Sequence, residues 1–266
     1  MAQAEKQPWE IALEKFLVRY SHRKDVTAAV ACGSFVTGNP SPRSDVDVHL
    51  VLDPHTKWRE RGNHIINGIM IEYFANPPAQ IRQYFKNDHA VQRQNDATMF
   101  VTGRILFDRR GDARRLKREA QRWLRRPFKT RPPWRRSLDR YAIFDHYDNF
   151  VDAAEQRAYD ADLIYFNWVR LVYDLYARHL KQPVQTEKST LRILTEPKAQ
   201  QKYAARPFPD ARFITLWSNA VRARSMHSKL SAARRLRDHV LRRMGGFDID
   251  GWCMRTVLDP KCRLKR

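Results

Sequence analysis

The feature that most constrains the fold is residues 27–52, in which two apolar runs flank a polar stretch. Residues 27–32 (TAAVAC) are short, apolar and compatible with a β-strand, and they end directly at Gly33. Residues 46–52 (VDVHLVL) first alternate and then become fully apolar, a pattern typical of a half-buried strand that runs into the middle of a sheet. The segment therefore predicts two strands joined by a short helix and a loop.

The polar stretch offers groups that bind phosphate. A helix that begins at Gly33 would expose its first backbone N–H groups, and together with the Ser34 hydroxyl these form a site for phosphate oxygens. Glycine at position 33 also lets the backbone approach a ligand closely. The sequence thus predicts an anion-binding loop directly after the first strand.

Two carboxylates follow the loop, at Asp45 and Asp47. Residues two apart on a strand point to the same face, so both carboxylates project together while Val46 and Val48 face the core. Carboxylates held side by side repel each other and resist joint ionisation, and a bound divalent cation removes that penalty. Mg²⁺ suits such a pair because it completes its shell with water and substrate phosphates. His49 is expected on the face opposite to Asp47, in a structural role.

The same pattern recurs at Asp248-Ile249-Asp250. Here no strand and no Gly-Ser pair precede the carboxylates, and only the helix stop Gly245-Gly246 does. We therefore predict a loop at residues 247–250 and assign the chemistry to Asp45 and Asp47.

The rest of the first half alternates between strands and helices. Asn67-Gly68 is a strong turn signal and predicts a hairpin between residues 64–66 and 69–74. Periodicity indicates an opening helix, two short helices, a strand and a basic helix, at residues 8–20, 79–85, 89–101, 104–108 and 112–124.

From residue 127 the composition changes. A basic linker punctuated by three prolines (RRPFKTRPPWRR, residues 125–136) is followed by sequence that has helical periodicity almost throughout, including one long helix over residues 211–244. The fold class is therefore predicted as α+β. A mixed-sheet domain is expected at residues 1–126 and an all-helical domain at residues 127–266.

Together these residues resemble the polymerase-beta-like nucleotidyltransferases. Members of that superfamily carry an apolar strand, a Gly-Gly or Gly-Ser pair and, after a short interval, two acidic residues that flank an apolar one. Here Gly33-Ser34 is followed by ten residues and then by Asp45-Val46-Asp47, and Ser44 before the first aspartate is also typical.

The resemblance implies a mixed sheet with flanking helices, an NTP donor, most often ATP, and two Mg²⁺ ions. It also implies a third carboxylate on a later strand, which Glu72 fits because it follows the Asn67-Gly68 turn on an otherwise apolar strand. The implied reaction transfers a nucleoside monophosphate to an acceptor hydroxyl and releases pyrophosphate. The predicted metal ligands and catalytic residues are Asp45, Asp47 and Glu72. The predicted nucleotide-binding residues are Gly33, Ser34 and Ser44.

Charge bears on the nature of the acceptor. Lys and Arg total 50 against 29 acidic residues, a formal net charge of +21 with a pI near 10.3, and such an excess attracts polyanions. Residues 114–136 place Trp123, Phe128 and Trp134 among positive charges, a combination that either grips single-stranded nucleic acid or forms an exposed linker docked on the core. RNA is therefore the favoured acceptor, although an Arg-rich composition can also reflect the proteome.

Two alternatives stay open for the function. Asp145, Asp148, Asp152 and Glu155 form an acidic stripe along one helix face. This stripe is either a solvated surface or a site for a cationic small molecule, as in antibiotic-modifying nucleotidyltransferases. The chain could instead be a toxin–antitoxin or RNA-binding module with little turnover, although the intact carboxylate pair argues against loss of catalysis.

Cysteine and hydropathy patterns add few constraints. Cys32, Cys253 and Cys262 are too widely spaced for a disulfide framework or a zinc site. No stretch approaches the roughly 18–20 apolar residues that a membrane span needs, so no membrane partner is expected. Because no secretion signal is recognisable, the reducing cytoplasm is the expected location.

Overall fold

The computed structural model describes residues 6–38 and 40–255 of the 266-residue chain. The chain divides into two compact units. The first, here called the sheet unit, runs up to Pro127 and also includes Glu196–Arg206. The second, the helical unit, comprises Phe128–Thr195 and the chain from Pro207 onward.

The sheet unit carries strands and helices in mixed order, as its alternating sequence patterns predict. The strands are β1 (Val26–Cys32), β2 (Val46–Leu52), β3 (Glu60–Ile66), β4 (Ile69–Asn76) and β5 (Arg104–Asp108). The helices up to Pro127 are α1 (Pro8–Val18), α2 (Gly33–Val36), α3 (Pro78–Ala90), α4 (Asn95–Thr102) and α5 (Asp112–Arg125).

The five strands form one mixed sheet in the order β3-β4-β2-β1-β5. β2 and β4 are parallel, whereas β1 pairs antiparallel with both β2 and β5, and β3 pairs antiparallel with β4. The hairpin between β3 and β4 turns at Asn67 and Gly68, which both have positive φ (51° and 76°), as a two-residue turn of this kind requires. The predicted hairpin and mixed sheet are therefore confirmed.

Alternation along β2 divides the core of the sheet unit into two layers. Val46, Val48 and Leu50 point into the layer that α1 covers with Phe16. The opposite face of the sheet packs against α3, α4 and α5, with Phe100 of α4 fully buried there. Since a fully buried side chain of this size stabilises a fold by about 1.5–3 kcal/mol, both layers hold β2 firmly at the centre of the sheet.

The helical unit contains α6 (Pro133–Glu155), α7 (Ala161–His179), α8 (Glu187–Thr195), and, after α9 (Pro197–Lys202) of the sheet unit, α10 (Ala211–Arg222) and α11 (Met226–Arg243). Its core is aromatic and includes the fully buried Tyr165, Trp168 and Phe213. The Tyr165 hydroxyl donates to the Ala220 carbonyl at 2.7 Å and Trp168 Nε1 donates to the Ile143 carbonyl at 3.0 Å. Their polar tips are thus satisfied inside the core, and the predicted α+β fold with an all-helical second part is confirmed.

The single helix predicted over residues 211–244 is wrong, because the chain breaks between α10 and α11. Ser225 is the N-cap of α11, and its hydroxyl accepts a hydrogen bond from the Ser228 N–H at 3.2 Å. A serine that caps one helix has extended backbone and cannot also continue the preceding one. The stop at Gly245 and Gly246 is as predicted, and both residues have positive φ.

Three further expectations concern the whole chain. Among the residues that the structure describes, no helix is long and apolar enough to cross a membrane. Cys32 is buried and Cys253 exposed, while Cys262 lies outside the described residues. The functional division into residues 1–126 and 127–266 stays a prediction, and the return of Glu196–Arg206 to the sheet unit had no signal in the composition.

Candidate active site

Three carboxylates meet on one face of the sheet. Asp47 in β2 and Glu72 in β4 are direct neighbours in the parallel ladder, and Asp45 immediately precedes β2. One carboxylate oxygen from each of the three lies within 4.8 Å of the other two, and all three residues are partly exposed. The structure thus brings together the three residues that the sequence nominated as metal ligands.

Gly33 packs directly against the Asp47 carboxylate. It follows Cys32, the partner of Asp47 in the β1–β2 ladder, and its φ is +82°. A Cβ placed on Gly33 would overlap Oδ2 of Asp47. A side chain at this position would therefore displace the carboxylate and also strain a left-handed backbone. The close approach expected at Gly33 is thus to the protein's own carboxylate.

Hydroxyl groups hold the loop between β1 and β2. α2 has only four residues, Gly33–Val36, and the Thr37 hydroxyl donates to the first carbonyl oxygen of this helix at 3.1 Å. Ser44 Oγ accepts a hydrogen bond from the Ser41 N–H at 2.8 Å and closes the turn before β2. Ser34 is partly exposed within α2. Nucleotide binding by Ser34 and Ser44 stays a prediction, to which the structure adds a contact of Ser44 inside the loop.

Arg61 is a site residue that the sequence reasoning missed. Its Nε and Nη2 groups both donate to Oε1 of Glu72, at 2.9 and 2.5 Å, and its guanidinium lies 4.9 Å from the centroid of the Phe74 ring. Asn63 opposes Glu72 across the β3–β4 hairpin, and Arg61 is two residues further along the same face. Counting back from the two-residue turn at Asn67-Gly68 would have found this diagonal pair.

His49 lies on the same face of the sheet as Asp47, and the predicted opposite placement is wrong. The two residues are two positions apart in β2, so their side chains point the same way. The imidazole stacks on Phe74 at 5.2 Å, contacts Phe100 at 4.8 Å and is 3% exposed. Within the described part of the chain, neither ring nitrogen has a hydrogen-bond partner. Burial lowers the pKa of His49 to about 4.

A cleft of about 460 Å³ opens on this face. His49 and Phe74 line it from the sheet, and Tyr84 of α3 and Met99 of α4 line it from the helices. Asp96 also lines it, and burial together with a neighbouring carboxylate raises the pKa of Asp96 to about 7. The cleft thus combines apolar surface with a few polar groups, as small-molecule sites do.

Lys202 is the second residue that the sequence reasoning missed. It ends α9, in the late segment of the sheet unit, and its Nζ donates to the Gly38 carbonyl oxygen at 2.9 Å. One ammonium group therefore lies beside the loop that follows Gly33-Ser34. No local pattern predicts this contact, because the two residues are 164 positions apart.

The basic stretch at residues 114–136 divides into two parts with different partners. In the first part, α5 exposes Arg118, Arg122 and Arg125, which have no acidic partner among the described residues. Arg126 lies over the Trp123 ring at 4.7 Å. This part offers unpaired positive charge next to an aromatic ring.

In the second part the charges are already used. Arg131 and Arg135 both form ion pairs with Asp139, at 2.8 and 3.8 Å. Phe128 is buried, whereas Trp134 is 49% exposed. Ionic contacts inside the helical unit therefore explain part of the basic stretch without any ligand.

The acidic stripe lies on α6 of the helical unit. Asp148, Asp152 and Glu155 are exposed, and Asp145 accepts a hydrogen bond from the Tyr141 hydroxyl at 3.1 Å. These contacts fit a solvated face, and they do not identify a ligand.

Comparison with known proteins places this sheet and its carboxylate cluster in the class of nucleotidyltransferases. Residues 12–98 match the family model for the nucleotidyltransferase domain, and this stretch includes the Gly33-Ser34 loop and all three clustered carboxylates. Residues 12–98 are accordingly a nucleotidyltransferase domain of the polymerase-beta-like superfamily.

No curated protein matches the chain. Eleven chains of solved structures do, and one is a nucleotidyltransferase-like protein from Exiguobacterium sibiricum 255-15. It is 12% identical, the match covers 88% of this chain and 75% of that chain, and the TM-score is 0.43. A likeness at this level carries no conclusion about function, which rests on the family match and on the site.

Proposed function

We propose that this protein transfers a nucleoside monophosphate from an NTP, with ATP as the favoured donor, to an acceptor hydroxyl and releases pyrophosphate. The observation that carries the proposal is the cluster of Asp45, Asp47 and Glu72, whose oxygens lie within 4.8 Å of one another beside the Gly33 loop. A nucleotidyltransferase domain with this cluster has the groups that the reaction needs.

The cluster has the chemistry of a Mg²⁺ site. Carboxylate oxygens are the ligands that this cation takes, and three like charges held this close repel one another unless a cation offsets them. Asp45, Asp47 and Glu72 would hold two ions. When bound, Mg²⁺ neutralises charge on the triphosphate and stabilises the charge that develops during the displacement.

The remaining residues orient the reactants. Backbone N–H groups at Gly33, the Ser34 hydroxyl and the Lys202 ammonium would bind phosphate oxygens. The acceptor oxygen then attacks the α-phosphorus as the bond to pyrophosphate breaks, and the hydroxyl proton passes to a carboxylate, for which Glu72 is placed. Arg61 binds only Oε1 of Glu72, so the second oxygen is not used by this ion pair.

Charge favours RNA as the acceptor. The chain carries a formal net charge of +21, and the exposed arginines of α5 have no acidic partner among residues 6–38 and 40–255. Unpaired arginines next to an aromatic ring suit single-stranded nucleic acid, because phosphates and bases are bound together.

A small-molecule acceptor is the second candidate, supported by the exposed acidic residues of α6, which would attract a cation. A toxin–antitoxin or RNA-binding module with little turnover is the third. The intact carboxylate cluster disfavours this third candidate, since a module without catalysis has no use for three mutually repelling carboxylates.

A transfer assay with labelled nucleotides tests the proposal. The full chain with Mg²⁺ is incubated with each α-labelled NTP and, in separate reactions, with total RNA, aminoglycosides, lincosamides or protein extract. Label transferred to one acceptor class, and lost in Asp45→Asn, would support the proposal and identify the acceptor. Absence of transfer and of pyrophosphate release with every acceptor would refute it.

A further inference from the structure

The cleft beside the carboxylates has no role in the reaction as described so far. It lies between the β3–β4 edge of the sheet and helices α3 and α4. His49 and Phe74 follow Asp47 and Glu72 by two residues each in the parallel ladder. The cleft therefore begins about 7 Å from the carboxylates along the strands, and a ligand bound in it can reach them.

The order of the strands places the cleft on one particular side of the site. The Gly33-Ser34 loop follows β1, which flanks β2 on one side, whereas the cleft lies toward β4 and β3 on the other. In an in-line displacement the leaving group and the attacking oxygen lie on opposite sides of the phosphorus. With the triphosphate at the loop, the acceptor would enter from the side of Glu72 and the cleft.

His49 is the polar group in the cleft that most needs a partner. It is almost fully buried, it lines the cleft, and neither of its ring nitrogens is hydrogen-bonded within the described residues. An unpaired polar group at a buried position destabilises a fold, so its presence points to a ligand that completes it. An imidazole offers a donor and an acceptor to such a ligand. Asn76, which accepts a hydrogen bond from the Tyr84 hydroxyl at 3.2 Å, adds an amide donor in the same cleft.

The charges around the cleft balance one another. Arg61 is paired with Glu72, and Arg59 lies in the same lining as Glu60. Asp96 is largely buried beside another carboxylate and carries only part of a charge near neutral pH. The cleft thus has no surplus of negative charge for a polycationic acceptor, and it suits an uncharged ligand.

We propose that the cleft is the acceptor subsite and binds an uncharged planar ring with hydrogen-bonding edges, which is the chemistry of a nucleobase. The ring lies against Phe74 and Met99 and exchanges hydrogen bonds with His49, and the acceptor hydroxyl belongs to the sugar that carries the ring. A volume of about 460 Å³ is within the range of sites for ligands of nucleoside size. This inference rests on the proposed function and adds a substrate class to it.

Nucleoside binding to the full chain tests the inference without requiring turnover. Adenosine, guanosine, cytidine and uridine are titrated in saturation-transfer NMR experiments, with and without Mn²⁺. We expect at least one nucleoside to bind and its base protons to be broadened by Mn²⁺, because the cleft adjoins the carboxylates. In Asp45→Asn the broadening should fall while binding persists, which shows that the metal reports on the ligand from that site.

Two matched histidine variants locate the ligand. His49→Leu keeps an apolar side chain between Phe74 and Phe100 and should weaken nucleoside binding about tenfold, the effect of losing one or two hydrogen bonds. His64→Leu is the control, because His64 stacks on Tyr73 at the opposite face of the same sheet. It should leave nucleoside affinity unchanged.

The outcomes separate this inference from the proposed function. Equal affinity in wild type and His49→Leu, or binding without Mn²⁺ broadening in the wild type, would overturn the inference even if label transfer is observed. Kanamycin bound at the cleft in place of nucleosides would also overturn it. Nucleoside binding in a chain that transfers no label would instead remove the proposed function and leave the subsite standing. Tighter binding of a short RNA than of its terminal nucleoside supports a strand end as the source of the ring, and equal binding supports a free nucleoside.

Discussion

Asp45-Val46-Asp47 and Asp248-Ile249-Asp250 share a pattern but differ in environment. Val46 is fully buried in β2, and Asp47 has Glu72 as its neighbour in the next strand. Ile249 is 46% exposed, and Asp248 Oδ1 accepts a hydrogen bond from the Asp250 N–H at 3.0 Å, which closes a local turn. A buried residue between two carboxylates fixes their direction, and an adjacent strand supplies the third. The pattern thus gains its chemistry from the sheet around it.

The largest effect is expected from the carboxylates themselves. Asp45→Asn or Asp47→Asn should lower the rate of labelled transfer by roughly a thousandfold, because a metal site supplies several kcal/mol of transition-state stabilisation. The melting temperature should stay equal or rise slightly, since like-charge repulsion is relieved. Asp248→Asn and Asp250→Asn should have wild-type rates. A rate within threefold of wild type for Asp45→Asn would remove the contrast between the two regions.

Glu72 is the carboxylate that only the first region possesses. Glu72→Gln should lower turnover roughly a hundredfold, in the range of general-base effects. Nucleotide affinity should stay close to wild type, because the loop and the two aspartates hold the triphosphate. Isothermal titration with a non-hydrolysable NTP, compared with single-turnover rates, measures the two effects separately. If both stay at wild-type values, Glu72 serves only its ion pair with Arg61.

A glycine precedes each region, and the two glycines provide a matched pair. Gly33 and Gly246 have similar φ, +82° and +80°, but a Cβ would overlap Asp47 at Gly33 and would meet nothing within 4 Å at Gly246. Both alanine variants carry the same backbone strain, so their difference reports the overlap. Gly33→Ala should be less stable than Gly246→Ala by about 1–3 kcal/mol, the usual cost of overpacking. Equal unfolding free energies in urea would show that Asp47 moves aside without cost.

Arginines show the same dependence on environment, with the smallest expected effect. Arg118, Arg122 and Arg125 are unpaired in the described chain, whereas Arg131 and Arg135 are bound to Asp139. If the three on α5 contact single-stranded RNA, changing them to Gln should reduce the slope of log K against log salt by about 2, at 0.7 per contact.

Fluorescence anisotropy with labelled RNA at 50 to 200 mM salt measures this slope. The control changes the same amount of charge on another helix, by Gln substitution at Arg234, Arg235 and Arg242. An equal reduction of the slope in both variants would show that only net charge matters.

The parts of the site that the sequence predicted are those encoded by local spacing. Asp45 and Asp47 follow from alternation along a single strand, and Glu72 follows from its position after the Asn67-Gly68 turn combined with the family resemblance. Arg61 was also within reach, because a two-residue turn defines the register of the hairpin. The face of His49 was predicted wrongly although the strand period alone decides it.

Other features depend on contacts that no local pattern records. The break between α10 and α11 has no Gly or Pro and rests on the cap formed by Ser225. The cleft depends on how α3 and α4 pack on the sheet, and the unpaired state of His49 is visible only after packing. Burial and pairing are tertiary properties, so the sequence predicted the carboxylates better than their surroundings.

The hydrogen bond from Lys202 to Gly38 has a consequence for biosynthesis. The two residues are 164 positions apart, and at about 5–20 residues per second a ribosome needs on the order of ten seconds to make the intervening chain. The strands of the sheet emerge well before Lys202, so the nascent sheet waits for its last helix while the helices α6 to α8 are being made. The loop after Gly33 acquires this contact only when nearly four-fifths of the chain has been synthesised, and a nascent chain that stalls before residue 202 lacks it.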